Sequence, residues 1–213
     1  MGLETKGSNT MTVATEKRRS PIADHRMSLE EYLAYDDGTD IRYELVNGEL
    51  VAISVGTGKH GTIAEFINDV FKAEINRSNL PWTSKDMKIG VQSPRGGRWD
   101  TIRIPDVTVI LTEEWETMQN REAIIFLNSP SPLLVVEVVS PSTVQDDYRA
   151  KHSEYSVLEI PEYWIIDIAK QVITICLLVD GRYDDREFEA DQPIVSLTFP
   201  NVNLTVLQIL NAK

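Results

Sequence analysis

Apolar and polar positions divide the chain into short segments of both secondary-structure types. Between residues 63 and 75, apolar side chains recur at three- and four-residue spacing, which predicts an amphipathic helix over about 58–78. A second helical pattern spans about 144–157. Apolar runs between turn residues predict strands at about 83–92, 104–111, 133–139, 162–167 and 171–179. This order of helices and strands predicts an α/β fold with a mixed central β-sheet flanked by helices.

Two local signals locate the N-terminal elements. Ser28, with Glu31 three positions later, has the spacing of a capping box and predicts the start of a helix. Asn47-Gly48 stands between two alternating segments and predicts an N-terminal β-hairpin over 41–53. Glu44 lies on the first arm of this hairpin.

The length and composition indicate one globular domain. The chain has 213 residues, of which 42% are hydrophobic and 25% charged, enough for one sizeable core. Residues 1–26 are polar and aperiodic and are predicted to be a flexible tail, which leaves a single domain over 27–213. No apolar run approaches the roughly 20 residues that span a membrane. A single cysteine, Cys176, excludes an internal disulfide and fits a cytoplasmic location.

The net charge of −12 argues against broad electrostatic binding to nucleic acid. The charge is uneven, however, because five basic residues face two acidic ones between Lys85 and Arg103. Within this stretch, a predicted flexible loop at 93–99 carries Arg95 and Arg98, which could contact DNA phosphate. An ordinary mixed surface explains the same residues, so the sequence leaves both interpretations open.

Two of the predicted strands each carry one acidic residue among aliphatic neighbours. Glu137 lies within the apolar run 133–139, and Asp106 follows Pro105 near the start of its strand. A carboxylate on a buried strand is costly unless it is paired or coordinated. If the two strands are neighbours, the carboxylates approach each other and can hold Mg²⁺, which binds one or two carboxylates together with waters and phosphates.

Lys151 lies on the predicted helix that follows the Glu137 strand, so its side chain can fold back over the strand end. An ammonium group there would assist metal-activated water in attacking a phosphodiester. The alternatives are that Asp106 caps a turn, or that Glu137 is a buried acid paired with Lys151 without any metal. Asp147 is expected to favour the helix dipole, and Tyr155 to pack in the core.

A set of short motifs together resembles one known family. The motifs are Tyr43-Glu-Leu-Val-Asn-Gly-Glu49, Pro105-Asp-Val107, Val136-Glu-Val-Val-Ser-Pro-Ser-Thr143, Asp147, Lys151 and Tyr155, and Pro161-Glu-Tyr-Trp-Ile-Ile-Asp167. Over roughly residues 27–180, this combination resembles the Uma2 family of the PD-(D/E)XK nuclease superfamily. The superfamily motif has lysine two positions after the strand glutamate, where this chain has Val139. In the Uma2 family the lysine lies on the following helix, which matches Lys151.

The resemblance implies a restriction-endonuclease-like core and a Mg²⁺-dependent DNA endonuclease, with Mn²⁺ as a substitute ion. Asp106 and Glu137 would bind the metal, Lys151 would assist the attacking water, and Glu44 would orient the site or add a ligand. Enzymes of this fold often act as homodimers. The competing hypotheses are a catalytically inactive binding or interaction module that kept the fold, and a hydrolase of another phosphate ester.

Overall fold

The computed structural model describes residues 26–213 and contains two β-sheets. The strands are β1 (Tyr43–Val46), β2 (Glu49–Ala52), β3 (Trp82–Asp86), β4 (Gly90–Gln92), β5 (Ile102–Arg103), β6 (Val107–Leu111), β7 (Ile124–Ile125), β8 (Leu134–Val139), β9 (Glu162–Asp167), β10 (Val172–Val179) and β11 (Arg182–Glu189). The helices are α1 (Leu29–Leu33), α2 (Gly58–Arg77), α3 (Thr112–Thr117), α4 (His152–Val157) and α5 (Val206–Leu210). A π-helical stretch, Asp146–Lys151, leads directly into α4.

The larger sheet has six strands in the order β11-β10-β9-β8-β6-β3. It is mixed, because β8 and β9 are parallel while its other neighbours are antiparallel. Helices α2 and α5 pack on one face through an apolar cluster in which Phe71 stacks on Phe199 and meets Trp164 edge-on. The opposite face packs against α4 through Tyr155 and Tyr163. The α/β class with a mixed sheet flanked by helices is therefore confirmed.

A second sheet, with the order β2-β1-β5-β4-β7, was not expected from the sequence. One predicted strand, at 83–92, is divided between the two sheets, because it breaks at Met87, whose φ of 47° directs β4 away from β3. The predicted strand at 104–111 begins only at Val107, and the segment before Pro105 forms the separate strand β5 of the second sheet. Pro105 lacks the N–H that a continuous ladder through both strands would need.

The N-terminal hairpin is confirmed, with Tyr43 opposite Ala52 and Val46 opposite Glu49. Residues Asn47 and Gly48 form its two-residue turn with φ values of 52° and 81°. The capping box at Ser28 is also confirmed, because its hydroxyl accepts from the Glu31 N–H at 3.2 Å while the Glu31 carboxylate accepts from the Ser28 N–H at 2.6 Å.

We expect Gly48→Ala to destabilise the protein more than Gly181→Ala, which changes the matching turn of the β10–β11 hairpin. Both glycines have positive φ, 81° and 76°, so each alanine is strained by about 1–2 kcal/mol. At Gly48 the added Cβ would also lie 2.8 Å from the Arg26 Cβ, whereas nothing lies within 4 Å at Gly181. Urea unfolding of the two variants tests the order; equal losses would contradict it.

The predicted helix at 144–157 is present, but its first half is π-helical between Asp146 and Lys151. Such π turns are uncommon and occur frequently at functional sites. The predicted flexible tail at 1–26 lies outside the described residues except for Arg26, and the single domain over 27–213 stays a prediction. Among the helices of residues 26–213, none combines the length and the hydropathy needed to cross a membrane.

Candidate active site

Strands β6 and β8 are antiparallel neighbours, so the arrangement required by the sequence hypothesis is present. All six residues of β8 are buried, and they alternate between the two faces of the sheet. Val136 and Val138 pack toward α2, while Glu137 lies on the opposite face with Val139. Val107 pairs with Val136, and continuing this register by one residue brings Asp106 beside Glu137.

Asp106 is held by two contacts, neither of which caps a turn after Pro105. Its Oδ2 accepts a hydrogen bond from the Val138 N–H at 2.7 Å, which fixes the carboxylate against β8. Its Oδ1 lies 2.8 Å from Nε2 of His60, in the first turn of α2. This hydrogen bond raises the pKa of His60 above its usual value, against the opposing effect of burial.

Lys151 does reach back to the β8 strand. Its Nζ lies 2.7 Å from Oε2 of Glu137 and 3.0 Å from Oδ1 of Asp147. The Tyr155 hydroxyl donates to the other Glu137 oxygen at 2.9 Å. All four residues are buried. The π-helical stretch and α4 thus place Asp147, Lys151 and Tyr155 on one face, against the strand acid.

The two acids that contact Lys151 both have raised pKa values, because both are buried. Burial raises the pKa of Glu137 well above its usual range, and the charges of Asp147, Asp106 and Glu44 add to this effect. Lys151 opposes the shift without cancelling it. Burial alone would lower the pKa of Lys151, but Glu137, Glu44 and Asp147 outweigh burial and raise it. Lys151 is therefore a permanently charged cation and cannot serve as a general base near neutral pH.

Glu44 lies at the edge of this cluster and belongs to an ion-pair network that joins the smaller sheet to α4. One of its oxygens accepts from the Ile104 N–H at 2.9 Å, and the other accepts from Arg103 at 3.1 Å. Arg103 also donates two hydrogen bonds to Glu154 of α4, at 2.7 and 3.0 Å. Glu44 raises the pKa values of both Glu137 and Lys151, but its direct partners are Arg103 and a backbone amide.

The loop at 93–99 is a tight turn rather than an irregular segment. Arg95 and Arg98 exchange two backbone hydrogen bonds, of 2.8 and 3.0 Å. The Arg95 guanidinium lies 3.0 Å from Glu154 and 3.7 Å from Asp146, which joins the loop to the network around Arg103. Arg98 pairs with the nearby Asp100 and is the more exposed of the two arginines.

The donor set around Glu137 fits a hard divalent cation. Asp106 and Glu137 supply carboxylate oxygens from adjacent strands, and Mg²⁺ in proteins is commonly held by one or two carboxylates plus waters. Each oxygen that accepts one hydrogen bond retains a further lone pair for a ligand bond. The acids Glu44, Asp106, Glu137, Asp147 and Glu154 outnumber the basic residues Arg95, Arg103 and Lys151, so the cluster attracts positive charge.

The sequence hypothesis missed four residues of this cluster. Asp147 was expected to favour the helix dipole, but it is buried and paired with Lys151. His60 was not assigned to the site, and nothing in its local sequence indicates the contact with Asp106. Arg103 could have been found by the same test that singled out Glu137, because it is a charge between Ile102 and Ile104, whereas Glu154 lies between Ser153 and Tyr155 and gives no such signal.

Comparisons with known proteins identify relatives of the chain and of its fold. A curated relative, the "Uncharacterized protein slr1290" of Synechocystis sp. (strain ATCC 27184 / PCC 6803 / Kazusa), is 26% identical over 131 residues. The matched region is 62% of this chain and 63% of that protein. A 1.96 Å crystal structure of a "putative nuclease belonging to DUF820" from Anabaena variabilis ATCC 29413 has a TM-score of 0.65 at 17% identity, over 86% of this chain and 97% of that one. At this identity the likeness shows a shared fold.

The sequence profile of the Uma2 family, described as "Putative restriction endonuclease", matches residues 29–207. The match covers every strand, the whole Glu137 cluster and the first two residues of α5. It extends beyond the roughly 27–180 over which the motifs were recognised. The chain therefore belongs to the Uma2 family.

Proposed function

We propose that this protein is a Mg²⁺-dependent endonuclease that hydrolyses DNA phosphodiester bonds at the Glu137 cluster, with Mn²⁺ as a substitute ion. The observation that carries the proposal is the 2.7 Å contact between Lys151 and Glu137. It brings a cation and a strand acid together even though Val139 occupies the usual lysine position. Membership of the Uma2 family and the nuclease-like fold support the same conclusion.

Asp106 and Glu137 would hold the metal ion, and the contacts around them suit that task. His60 and the Val138 N–H orient Asp106, while Tyr155 orients Glu137. A divalent cation bound there supplies a Lewis acid that activates water and stabilises charge on the phosphate. The residues around it exclude bulk water, which strengthens each of these interactions.

Lys151 contributes as a hydrogen-bond donor with a fixed positive charge. An ammonium group has three N–H donors, whereas Lys151 has two carboxylate partners, Glu137 and Asp147. The third can be directed at a phosphate oxygen or at the attacking water as negative charge develops. Glu44 acts indirectly, because it accepts hydrogen bonds from Arg103 and the Ile104 amide and so fixes their positions beside the site.

For the DNA partner, we propose that Arg98 meets backbone phosphate from the tight loop, together with Arg95. Arg98 is the more exposed of the two, and its partner Asp100 lies on the same loop. Arg95 has a second role, since it neutralises Glu154 at 3.0 Å. Cutting both strands of a duplex would require two active sites, so we also propose a homodimer, which sedimentation of the purified chain can test.

One observation favours the inactive-module alternative. Lys151 already pairs with Glu137 and Asp147, so both buried acids have a counter-charge without a metal. The net charge of −12 also weakens non-specific attraction to DNA. This hypothesis predicts neither cleavage nor metal binding at the cluster.

Incubating the protein with supercoiled plasmid and Mg²⁺, Mn²⁺ or EDTA distinguishes the endonuclease from the inactive module. An RNA substrate is tested in parallel. We expect metal-dependent nicking by the native protein, and a loss of at least ~100-fold in Asp106→Asn, because a metal ligand of this kind stabilises the transition state. The matched control is Asp69→Asn, which changes an exposed acid on α2 paired only with the surface residue Lys72.

Nicking that is equal in the native protein and Asp106→Asn would mean a contaminating nuclease and would refute the assignment. No nicking by the native protein, together with no heat of Mg²⁺ or Mn²⁺ binding in calorimetry, would establish the inactive module. Cleavage of RNA but not DNA would support the same active site and would show that its substrate is RNA.

A further inference from the structure

A second cluster of ligand-type side chains lies on the β10–β11 hairpin. Cys176 of β10 and Asp185 of β11 are directly opposite in the antiparallel register. His152, the first residue of α4, lies over them, with its Nε2 2.9 and 3.0 Å from the two Asp185 oxygens. One ligand atom from each of the three residues lies within 4.8 Å of the other two.

This cluster is the one group of three or more such ligand atoms that meets this distance criterion among residues 26–213. It is distinct from the Glu137 site, although His152 directly follows Lys151 in the chain. Lys151 turns toward β8, whereas His152 turns toward β11, where its ring also meets Tyr183 edge-on at 5.1 Å. No step of the proposed DNA cleavage uses any of the three residues.

The three side chains differ from the Glu137 site in chemical character. A thiol, an imidazole and a carboxylate are the ligand types that Zn²⁺ accepts, commonly in a tetrahedral arrangement with water as the fourth ligand. Mg²⁺ prefers oxygen ligands and avoids sulfur. The sulfur of Cys176 therefore indicates a borderline-soft ion such as Zn²⁺.

The surroundings of the three residues are buried on the Cys176 side and open to solvent on the side of His152 and Asp185. Cys176 is fully buried among Tyr163 and other residues of the α4-facing cluster, so its position is fixed by the core. The side chains of His152 and Asp185 are 25% and 45% exposed, which leaves a path from solvent. Without an ion, burial raises the pKa of the thiol, and its S–H donates to Asp185.

A buried thiol and a surface His–Asp ion pair would be the simplest account of these residues taken separately. It does not account for the convergence of all three, since the Asp185 carboxylate contacts the imidazole and the thiol at once. We infer that Cys176 Sγ, His152 Nε2 and the Asp185 carboxylate form a binding site for a Zn²⁺-type ion, with the fourth position open to water. On binding, the Cys176 thiol releases its proton to solvent and becomes the thiolate ligand.

The site would connect elements that now meet only through packing and the His152–Asp185 pair. The ion would join the start of α4 to both strands of the hairpin at the edge of the larger sheet. Because His152 follows Lys151, the ion would also hold the helix that positions Lys151 over Glu137.

Cobalt titration of the full chain tests the inference, using reduced protein freed of metal with EDTA. A thiolate ligand gives Co²⁺ a charge-transfer band in the near ultraviolet, and only a bound sulfur produces it. We expect a band that saturates at one ion per chain and disappears when Zn²⁺ is added. Cys176→Ser should abolish it, and His152→Ala should weaken binding by at least the ~10–100-fold that follows loss of a supporting residue.

Asp184→Asn is the matched control, because Asp184 is on the same strand as Asp185 but on the opposite face of the sheet, where it pairs with Arg186. Asp106→Asn should also retain the band, which separates this site from the Glu137 site. Absence of the band in the native protein, or an unchanged cobalt affinity in His152→Ala, would overturn the inference. His152 is at the surface, so that variant keeps the test valid even if Cys176→Ser fails to fold.

Discussion

Lys151→Met is expected to lower DNA cleavage by about 10²–10³-fold, because the variant loses the ammonium donor that we propose for the reacting phosphate. Methionine keeps the length and the apolar stem of lysine but carries no charge. The variant should still fold, since Glu137, whose pKa burial already raises, takes up a proton in place of the ion pair. Mg²⁺ binding in calorimetry should remain, because Asp106 is unchanged and the ion displaces the added proton from Glu137 when that carboxylate becomes a ligand.

The matched control is Lys170→Met, which removes an exposed lysine paired with Asp167 at 3.6 Å. Its cleavage rate should equal that of the native protein. An unchanged rate in Lys151→Met would refute the catalytic role of Lys151. A lost rate accompanied by lost metal binding would instead make Lys151 a residue that shapes the metal site.

A lysine at position 139 offers a direct comparison with the superfamily pattern. Val139 and Glu137 are on the same face of β8, and both lie near Tyr155. Adding Val139→Lys to Lys151→Ala should restore part of the cleavage lost in Lys151→Ala alone. Such recovery would show that the reaction depends on a cation beside Glu137, whichever element supplies it.

Arg103→Met is expected to destabilise the protein by about 3–5 kcal/mol, the usual cost of removing one partner from a buried ion pair. Arg103 is 1% exposed and donates to Glu154 through two hydrogen bonds and to Glu44 through a third. Methionine would leave Glu154 buried with only Arg95 as a counter-charge. Urea unfolding measured in EDTA reports the difference without any contribution from bound metal.

Arg186→Met provides the comparison, because Arg186 is exposed and lies 3.9 Å from an equally exposed Asp184. Its free energy of unfolding should be almost unchanged. A similarly small effect in Arg103→Met would mean that the network between the smaller sheet and α4 contributes little to stability. Because Glu154 is in α4, we also expect the Arg103 variant to cleave DNA more slowly, by an amount that depends on how far α4 becomes disordered.

The elements that the sequence predicted are those with strong local signals. The Ser28 capping box, the Asn47-Gly48 turn and the apolar face of α2 each follow from short-range rules, and all three are present. Glu137 was identifiable because a charge inside an aliphatic strand requires a partner. The placement of Lys151 beside it followed from the position of the next helix in the chain.

Other features depend on the whole fold and left no local pattern. Strand β11 is an exposed edge strand and carries charged residues on both faces, so no apolar face indicates it. The Asp180-Gly181 turn before it is, however, the same kind of local signal as Asn47-Gly48. The break at Met87 places the successive strands β3 and β4 in different sheets, which no apolar pattern indicates. The contact between His60 and Asp106 joins residues 46 positions apart.

Because the stretch Asp146–Lys151 is π-helical, the geometry of the site depends on the number of residues in this stretch as well as on their identity. In an α-helix each residue advances the side chain by about 100°, so deleting one residue here and restoring regular geometry would rotate α4 relative to the chain before it. Either Lys151 would turn away from Glu137 or Asp146 would leave Arg95. Family members with a one-residue gap in this stretch are thus expected to have lost one of these two contacts, even where an alignment still shows the residues that make them.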